Sequence, residues 1–322
     1  MANAASLVST WQGEYFADTF IIPVIGEDSS FDSPIYDVDP TINNKRIDYN
    51  VGELKYATRK KATCGFEANG SFDISERTLT VDPFAIMLEQ CFDTFYSTAF
   101  RSKLKRGTDI PDMTGTFLQD LFEQMTPVTI GKDLMKHAWF GDTSVASTSF
   151  LSDMNGYFKI LGADSSVGSY SLATTGSDLV ADAALTTLRE MWISEPILRG
   201  KMTQSKFLAT AEVYDNLVTT YENTGTDSGL ARLAAGGPLT FRGVEVILMD
   251  VWDEAITDFD LSDPHRLVWT IDGNLRVGTD ITDPRMEGKL FVDELQEKTY
   301  FKGRFDFGVQ YRFSNSTAVA LG

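Results

Sequence analysis

The sequence predicts a mixed α+β chain built around a long antiparallel frame, and three observations carry that prediction. Residues 300–313 (YFKGRFDFGVQYRF) alternate with a period of two: Phe301, Phe305, Phe307, Val309, Tyr311 and Phe313 share one parity, and Lys302, Arg304, Asp306, Gln310 and Arg312 share the other. From about residue 114 to Gly141-Asp142 the apolar positions recur at helical spacing, over a length that matches this strand. Between the two lie alternating helix-like and strand-like segments, the pattern of an α/β unit. Successive side chains of a strand point to opposite faces, so residues 300–313 set an aromatic face on a core and a charged face on water or a neighbour. Such a strand runs roughly 40 Å, and burial of its six large apolar side chains contributes at most about 9–18 kcal/mol.

Each element follows from local chemistry. The first 45 or so residues carry Pro23, Gly26, Pro34 and Pro40 among acidic and Ser residues, with Trp11, Tyr15, Phe16, Phe20, Ile21, Ile22, Phe31, Ile35 and Tyr36 in no helical or strand period. This predicts an extended arm whose apolar residues dock one by one on other surfaces. Residues 54–81 are rich in Thr, aromatic and β-branched residues around Ala68-Asn69-Gly70-Ser71, which predicts a projecting hairpin, basic near its start at Lys55, Arg59, Lys60 and Lys61. Asp82-Pro83 then supplies an N-cap and an N1 proline. Phe84, Met87, Leu88, Cys91, Phe92, Phe95 and Phe100 follow at spacings of three and four, which predicts a helix ending near Lys105-Arg106-Gly107. A second helix is marked by Phe117, Leu118, Leu121, Phe122 and Met125, then by Leu134, Met135, Ala138 and Trp139, with a kink or break expected between them at Pro127 to Gly131.

Farther on, Leu179, Ala183, Thr187, Leu188 and Met191 predict a helix capped by Ser177. Residues 206–209 read as a strand entering a helix capped by Thr210. Strands are predicted at residues 241–249, 266–272 and 289–295, and a Gly-rich loop at 224–238. No internal repeat is present.

Composition excludes several functions. With 322 residues, 43% hydrophobic, the chain can bury a sizeable core divided over two or three subdomains. Its 28 Lys plus Arg stand against 46 Asp plus Glu, and a net charge of −18 argues against a protein that coats nucleic acid through phosphate contacts. Neither an export signal nor an apolar run of the roughly 18 residues needed to span a bilayer is visible. Cys64 and Cys91 are expected as free thiols in a reducing compartment.

Catalytic chemistry lacks its residues. His137 and His265 are the only histidines, and no HExxH, GxSxG, GxGxxG or GxxxxGK[ST] occurs. His137 is expected as a half-buried helix residue and His265 as a turn residue. Asp37-Val38-Asp39 has the spacing of a chelating pair without a third ligand nearby. The run Asp250, Asp253, Glu254, Asp258, Asp260 and Asp263 lacks EF-hand spacing and reads as a charged rim. Asp272-Gly273-Asn274 reads as a turn between strands. No catalytic, cofactor or metal site is predicted.

What remains is a layout: arm, β-hairpin, long helix ending in Trp139-Phe140-Gly141-Asp142, an α/β unit with Phe207-Leu208-Ala209-Thr210 entering a helix, a strand pair, and a terminal alternating strand. This layout resembles a major capsid protein of tailed bacteriophages, the HK97-like fold. Phe140-Gly141-Asp142 is similar to that family's frequent Asn-Gly-Asp ending, with Phe140 as a departure. The resemblance implies an N-terminal arm at residues 1–45, an E-loop at 46–82, a P-domain at 83–142 and 283–322, and an A-domain at 143–282. It implies a homo-oligomer of hexamers and pentamers that encloses double-stranded DNA without sequence-specific contact, in a virion capsid assembled in the host cytoplasm. It further implies separate scaffold, portal and decoration proteins and no membrane, and the early start of the arm predicts that no long delta domain precedes it. Lys55, Arg59, Lys60, Lys61, Arg304 and Arg312 are the expected subunit contacts, the first four by pairing with acidic residues of a neighbour. The alternatives are an encapsulin-like compartment around protein cargo, and an α/β enzyme using the carboxylates between Asp250 and Asp263 as a metal site.

Overall fold

The computed structural model describes residues 6–12, 17–25, 31–51, 74–91, 117–223, 238–281, 283, 287–293 and 298–322. One sheet is assembled from β1 (Ser6–Gln12), β2 (Tyr36–Asp39), β5 (Asp82–Cys91), β13 (Leu275–Thr279), β14 (Glu287–Asp293) and β15 (Lys298–Tyr311). Its order is β1-β14-β15-β13-β2, with β5 also on β15. Phe307 is opposite Thr279 of β13 and Asp82 of β5 at once, so the 14-residue β15 carries β5 on one edge and β14 followed by β13 on the other. It is the rib of the sheet, as its period-two pattern predicts. Phe301, Phe305, Phe307, Val309 and Tyr311 are all buried.

The second sheet has the order β10-β11-β9-β12-β16-β6. Its strands are β6 (Gly168–Ser171), β9 (Ser205–Ala209), β10 (Thr240–Phe241), β11 (Val244–Leu248), β12 (Arg266–Ile271) and β16 (Thr317–Leu321). Two short ribbons complete the strands: β3 (Lys45–Val51) with β4 (Ile74–Thr80), and β7 (Thr174–Thr175) with β8 (Asp178–Leu179). The α-helices of five or more described residues are α1 (Phe117–Phe140), α2 (Tyr157–Ala163), α3 (Ala183–Ser194), α4 (Pro196–Gly200), α5 (Ala211–Asn223) and α6 (Asp250–Phe259).

Strand parity decides which helices cover which face of the second sheet. Phe207, Ala209, Leu267, Trp269, Ala318 and Ala320 pack with Leu188 and Met191 of α3 and Val213 and Leu217 of α5. Leu208 and Val268, one residue out of phase, belong to the other core, with Trp139 of α1, Tyr157 of α2 and Trp252 of α6. That core also holds Phe301, Phe305 and Phe307 of the rib, so α1, the rib and one face of the second sheet share it. Two short connections pass between the sheets, β12 to β13 and β15 to β16, and the fully buried Asn274 ties them together. Its Nδ2 donates to Thr317 Oγ1 at 2.6 Å and to the Phe313 carbonyl at 3.1 Å, while its Oδ1 accepts from the Phe313 N–H at 2.8 Å.

Several expectations are corrected. Residues 82–91 form a strand, not the start of a helix: ten consecutive residues pair with β15, and the half-buried Phe84 and Ile86 alternate inward while Met87 is 72% exposed. Residues 92–116 lie outside the described residues. The arm docks on its own chain, for Phe20, Ile21, Val24, Phe31, Ile35 and Tyr36 enter the central core. α1 continues through Pro127, whose missing N–H removes one ladder bond, and Thr129 turns its hydroxyl back to the Met125 carbonyl at 3.2 Å. α3 begins at Ala183, and Ser177 belongs to the β7–β8 turn. The strand predicted at 241–249 turns at Arg242-Gly243, where both residues have positive φ. β13 and β2 stand in the rib's sheet, and β16 in the other. The Asn69-Gly70 turn and residues 224–237 of the Gly-rich stretch are outside the described residues.

Candidate functional site

The β3–β4 ribbon has two chemically different faces, because residues directly opposed across an antiparallel pair share a side. Arg46 faces Leu79 and Asp48 faces Arg77 on one side; Ile47 faces Thr78 and Tyr49 faces Glu76 on the other. The first side is anchored to the body. Arg46 pairs with Asp39 of β2, and the buried Arg276 of β13 reaches Asp48 and Asp37 at 3.1 Å each. Asp37-Val38-Asp39 thus serves arginine pairing. Arg77 pairs with Asp164 and lies 4.0 Å from the centroid of the Tyr311 ring, whose hydroxyl donates to Asp164 at 2.6 Å. Burial raises the Asp164 carboxyl, but hydrogen bonds from Tyr311, the Ser166 N–H and Arg77 outweigh it and hold the group at about 2. The opposite side is bare: Ile47 is 40%, Tyr49 63% and Ile74 62% exposed.

The rib's charged parity divides into an open and a covered half. Lys302 is exposed and Arg304 half-buried, and both line a groove of about 550 Å³ with Pro83, Phe84, Ala85 and Met87 of β5 and Glu287 of β14. Asp306 departs from the expected exposed row and is buried, since it lies opposite Pro83 where the chain passes from β4 into β5. Gln310 donates to the Thr78 carbonyl at 3.3 Å. Arg312 stands beyond the end of β15, its guanidinium 5.0 Å from the Phe313 ring, so it does not share the groove with Arg304. Lys55, Arg59, Lys60 and Lys61 fall outside the described residues, as does Cys64; Cys91 is a free thiol in β5.

The acidic run is a helix whose carboxylates are partly consumed by packing. Trp252 and Ala255 of α6 face the core, and Asp253 accepts from the Ala211 N–H at 2.9 Å. Lys136 of α1, buried to 7% exposure, meets Asp258 at 2.7 Å and Glu254 at 3.5 Å, and Lys132 meets Glu254 at 3.3 Å. Burial disfavours the Lys136 charge, but these carboxylates outweigh it and raise the ammonium. His137 lies between Phe84 and Phe150, and burial lowers its imidazole to about 4. It is more buried than expected. Among the described residues no group of three His, Cys, Asp or Glu side chains is placed to hold a metal, and no helix is long and apolar enough to cross a membrane. What the geometry offers is surface: an anchored ribbon with an apolar outer face, and a basic groove on the open half of the rib. The signal for the groove was the Lys302 and Arg304 parity; its β5 wall was hidden by the helix-like spacing there.

No protein-family model and no curated protein sequence matches this chain. Solved structures do. A chain of Gordonia phage Cozz matches with a TM-score of 0.56 at 12% identity, over 89% of this chain and 84% of that one. The capsid of Myoviridae phage XM1 matches at 0.56 and 10% identity, over 89% of each chain. The capsid of the native GTA particle matches at 0.55 and 11% identity, over 89% and 88%. At such identities the likeness is one of fold, and it extends over most of each chain.

Proposed function

We propose that this chain, whose α+β architecture is the HK97-like capsid fold, is a major capsid protein that self-assembles into the icosahedral shell around phage double-stranded DNA. The observation that carries the proposal is the shared fold over most of the length of chains from phage capsids, at TM-scores of 0.54 to 0.56. Residue chemistry supports it: a structural rib, and an anchored ribbon whose outer face leaves Ile47, Tyr49 and Ile74 exposed. The role is structural, not enzymatic.

In this reading the arm, the E-loop around β3 and β4, the P-domain around α1 and the rib, and the A-domain around the second sheet are the working parts of a subunit of hexamers and pentamers. Lys55, Arg59, Lys60 and Lys61 pair with acidic residues of a neighbour, Arg304 meets a neighbour at its groove, and Arg312 at the crossing between the sheets. A wall of subunits at −18 each repels packaged DNA and leaves it unbound, and scaffold, portal and decoration proteins are separate chains. The protein resides in the virion capsid after assembly in the host cytoplasm. Negative-stain microscopy of the expressed protein tests the proposal: closed shells or capsomers are expected, and a uniformly monomeric protein under all assembly conditions overturns it. Charge reversal at Lys55, Arg59, Lys60 and Lys61 together is expected to block assembly at low salt, and normal shells from that variant remove those four from the interface.

A further inference from the structure

The strands of the second sheet carry opposite charge at their two ends. β9 runs parallel to β11 and β6 parallel to β16, while β12 is antiparallel to β9 and β16. The starts of β6, β9, β11 and β16 therefore share one end of the sheet with the finish of β12, and their finishes share the other end with its start. At about 3.3 Å per residue, the six residues of β12 hold the two ends roughly 20 Å apart.

At the first end, cations lead into the strands. Arg199 lies in the last turn of α4 and Lys201 follows it toward β9, Arg242 turns into β11, and Arg312 precedes β16. Lys201 and Arg312 share the Phe313 ring, at 6.0 and 5.0 Å from its centroid, and Arg242 lies 5.4 Å from the rings of both Trp192 and Phe241. Aromatic faces orient these cations without neutralising them. No carboxylate among the described residues pairs with any of the four. Glu245 is taken by Lys206 at 2.5 Å, and Glu195 accepts from the Tyr170 hydroxyl at 2.8 Å. Burial raises the Asp272 carboxyl, and Glu190 and Glu222 are the exposed carboxylates of the covering helices α3 and α5 here. Beside the cations Ile193 is 69% exposed, with Ile197 and Met202 also open.

The other end has the opposite sign. Glu212 follows β9, Asp250 follows β11, and Asp260 and Asp263 precede β12, all four exposed. Arg266, the cation that enters β12, turns inward: it donates to the Asp263 and Ser262 carbonyls at 3.1 and 3.0 Å, with its guanidinium 4.5 Å from the Phe158 ring. Glu212 lies 3.1 Å from Nδ1 of the buried His265, and Leu248 adds exposed apolar surface.

We propose that the cationic end of this sheet docks on the acidic end of the same sheet in a second copy of the chain. Charge complementarity chooses that occupant. Two copies at −18 each repel over most approaches, and an unpaired cationic row set in such a surface turns one approach attractive. Like ends repel each other, so the contact joins two different surfaces. Such a heterologous contact closes into a ring where the rotation between copies allows it. The inference rests on the shell reading and gives it a direction, by naming which surfaces of adjacent subunits meet.

Sedimentation velocity of the purified full chain at about 50 mM and about 500 mM salt tests the pairing. Arg199→Glu with Lys201→Glu reverses charge at one end, and Glu212→Lys with Asp250→Lys reverses it at the other. Each double variant alone is expected to associate at least about tenfold more weakly than wild type, and an equimolar mixture of the two is expected to recover association that added salt weakens. Unchanged association of either variant, or a mixture that stays apart, overturns the docking. If Glu212→Lys with Asp250→Lys does not fold, Asp260→Asn with Asp263→Asn decides by weakened or unchanged association, since asparagine suits the left-handed backbone at both positions. Normal shells from the variants remove this contact and leave the shell reading standing, whereas a wild type that is monomeric under all conditions removes both. Binding of a double-stranded oligonucleotide that is lost in Arg199→Glu with Lys201→Glu, while association persists, assigns the cations to phosphate and also overturns the docking.

Discussion

Gly278 and Gly308 are directly opposite each other across the β13–β15 pair, and the base of the β3–β4 ribbon rests on the floor they make. A Cβ on Gly308 would stand 1.9 Å from the Thr80 carbonyl oxygen, whereas one on Gly278 would meet the side-chain tips of Ile42, Val81 and Leu79 at 2.7, 3.0 and 3.1 Å. Backbone cannot step aside as a methyl group can. Gly308→Ala is therefore expected to cost about 3 kcal/mol and Gly278→Ala about 1 kcal/mol, by urea unfolding of the purified protein. Equal costs would mean that the floor is not set by close approach of the β4 main chain.

Asp164 gives the ribbon anchor a pH signature. Its folded carboxyl is depressed from 3.8 to about 2, so its contribution is complete above pH about 4 and is lost as pH falls through about 2. That contribution is at most about 2 kcal/mol before solvent screening, as the side chain is 20% exposed. Acid titration followed by circular dichroism is expected to show the wild type losing its advantage over Asp164→Asn across that window. Parallel profiles would remove Asp164 as an anchor.

Tyr36 joins the arm to α1. Its hydroxyl accepts from Trp139 Nε1 at 2.9 Å and approaches Met135 Sδ at 3.6 Å, and burial raises its phenol strongly. Tyr36→Phe leaves the buried indole N–H without that acceptor and is expected to lower stability by about 1–3 kcal/mol in thermal or urea unfolding. No change would show that another acceptor takes the proton.

Asn274→Asp tests the tie between the sheets. The carboxylate keeps the acceptor for the Phe313 N–H but turns a negative oxygen toward the Phe313 carbonyl and Thr317 Oγ1. The variant is expected to be destabilised by more than about 2 kcal/mol at neutral pH and to recover partly in acid, where a protonated carboxyl donates again. Unfolding midpoints across pH read this directly, and a pH-independent deficit would contradict it.

Local periodicity made some elements legible and long-range pairing concealed others. Residues 300–313 announced the rib because their alternation is a property of the strand itself, and α1 was visible on both sides of Pro127 because apolar positions resumed at helical spacing beyond it, although its continuity there was not. Phe84, Met87, Leu88 and Cys91 carry helical spacing after an Asp-Pro start, yet β5 is a strand because its ladder partner, β15, lies more than 200 residues away, with Cys91 opposite Lys298. Nothing near Asp82 encodes that partner. Asp306 was read as exposed for the same reason, since the segment that covers it comes from β4 and β5. The Arg77, Asp164 and Tyr311 cluster unites three distant segments, and only the basic parity of Lys302 and Arg304 gave the groove a trace in sequence.

The pairing of Cys91 with Lys298 also fixes an order of events during synthesis. Loop closure over so long a span is slow, and β5 has no ladder partner other than β15 among the described residues. Until residues 298–311 have left the ribosome, the ribbon lacks both the Gly308 floor and the Tyr311 hydroxyl that orients Asp164. A nascent chain thus holds its anchoring surface incomplete, and β5 stays an unpaired edge, open to wrong pairing, until the rib emerges.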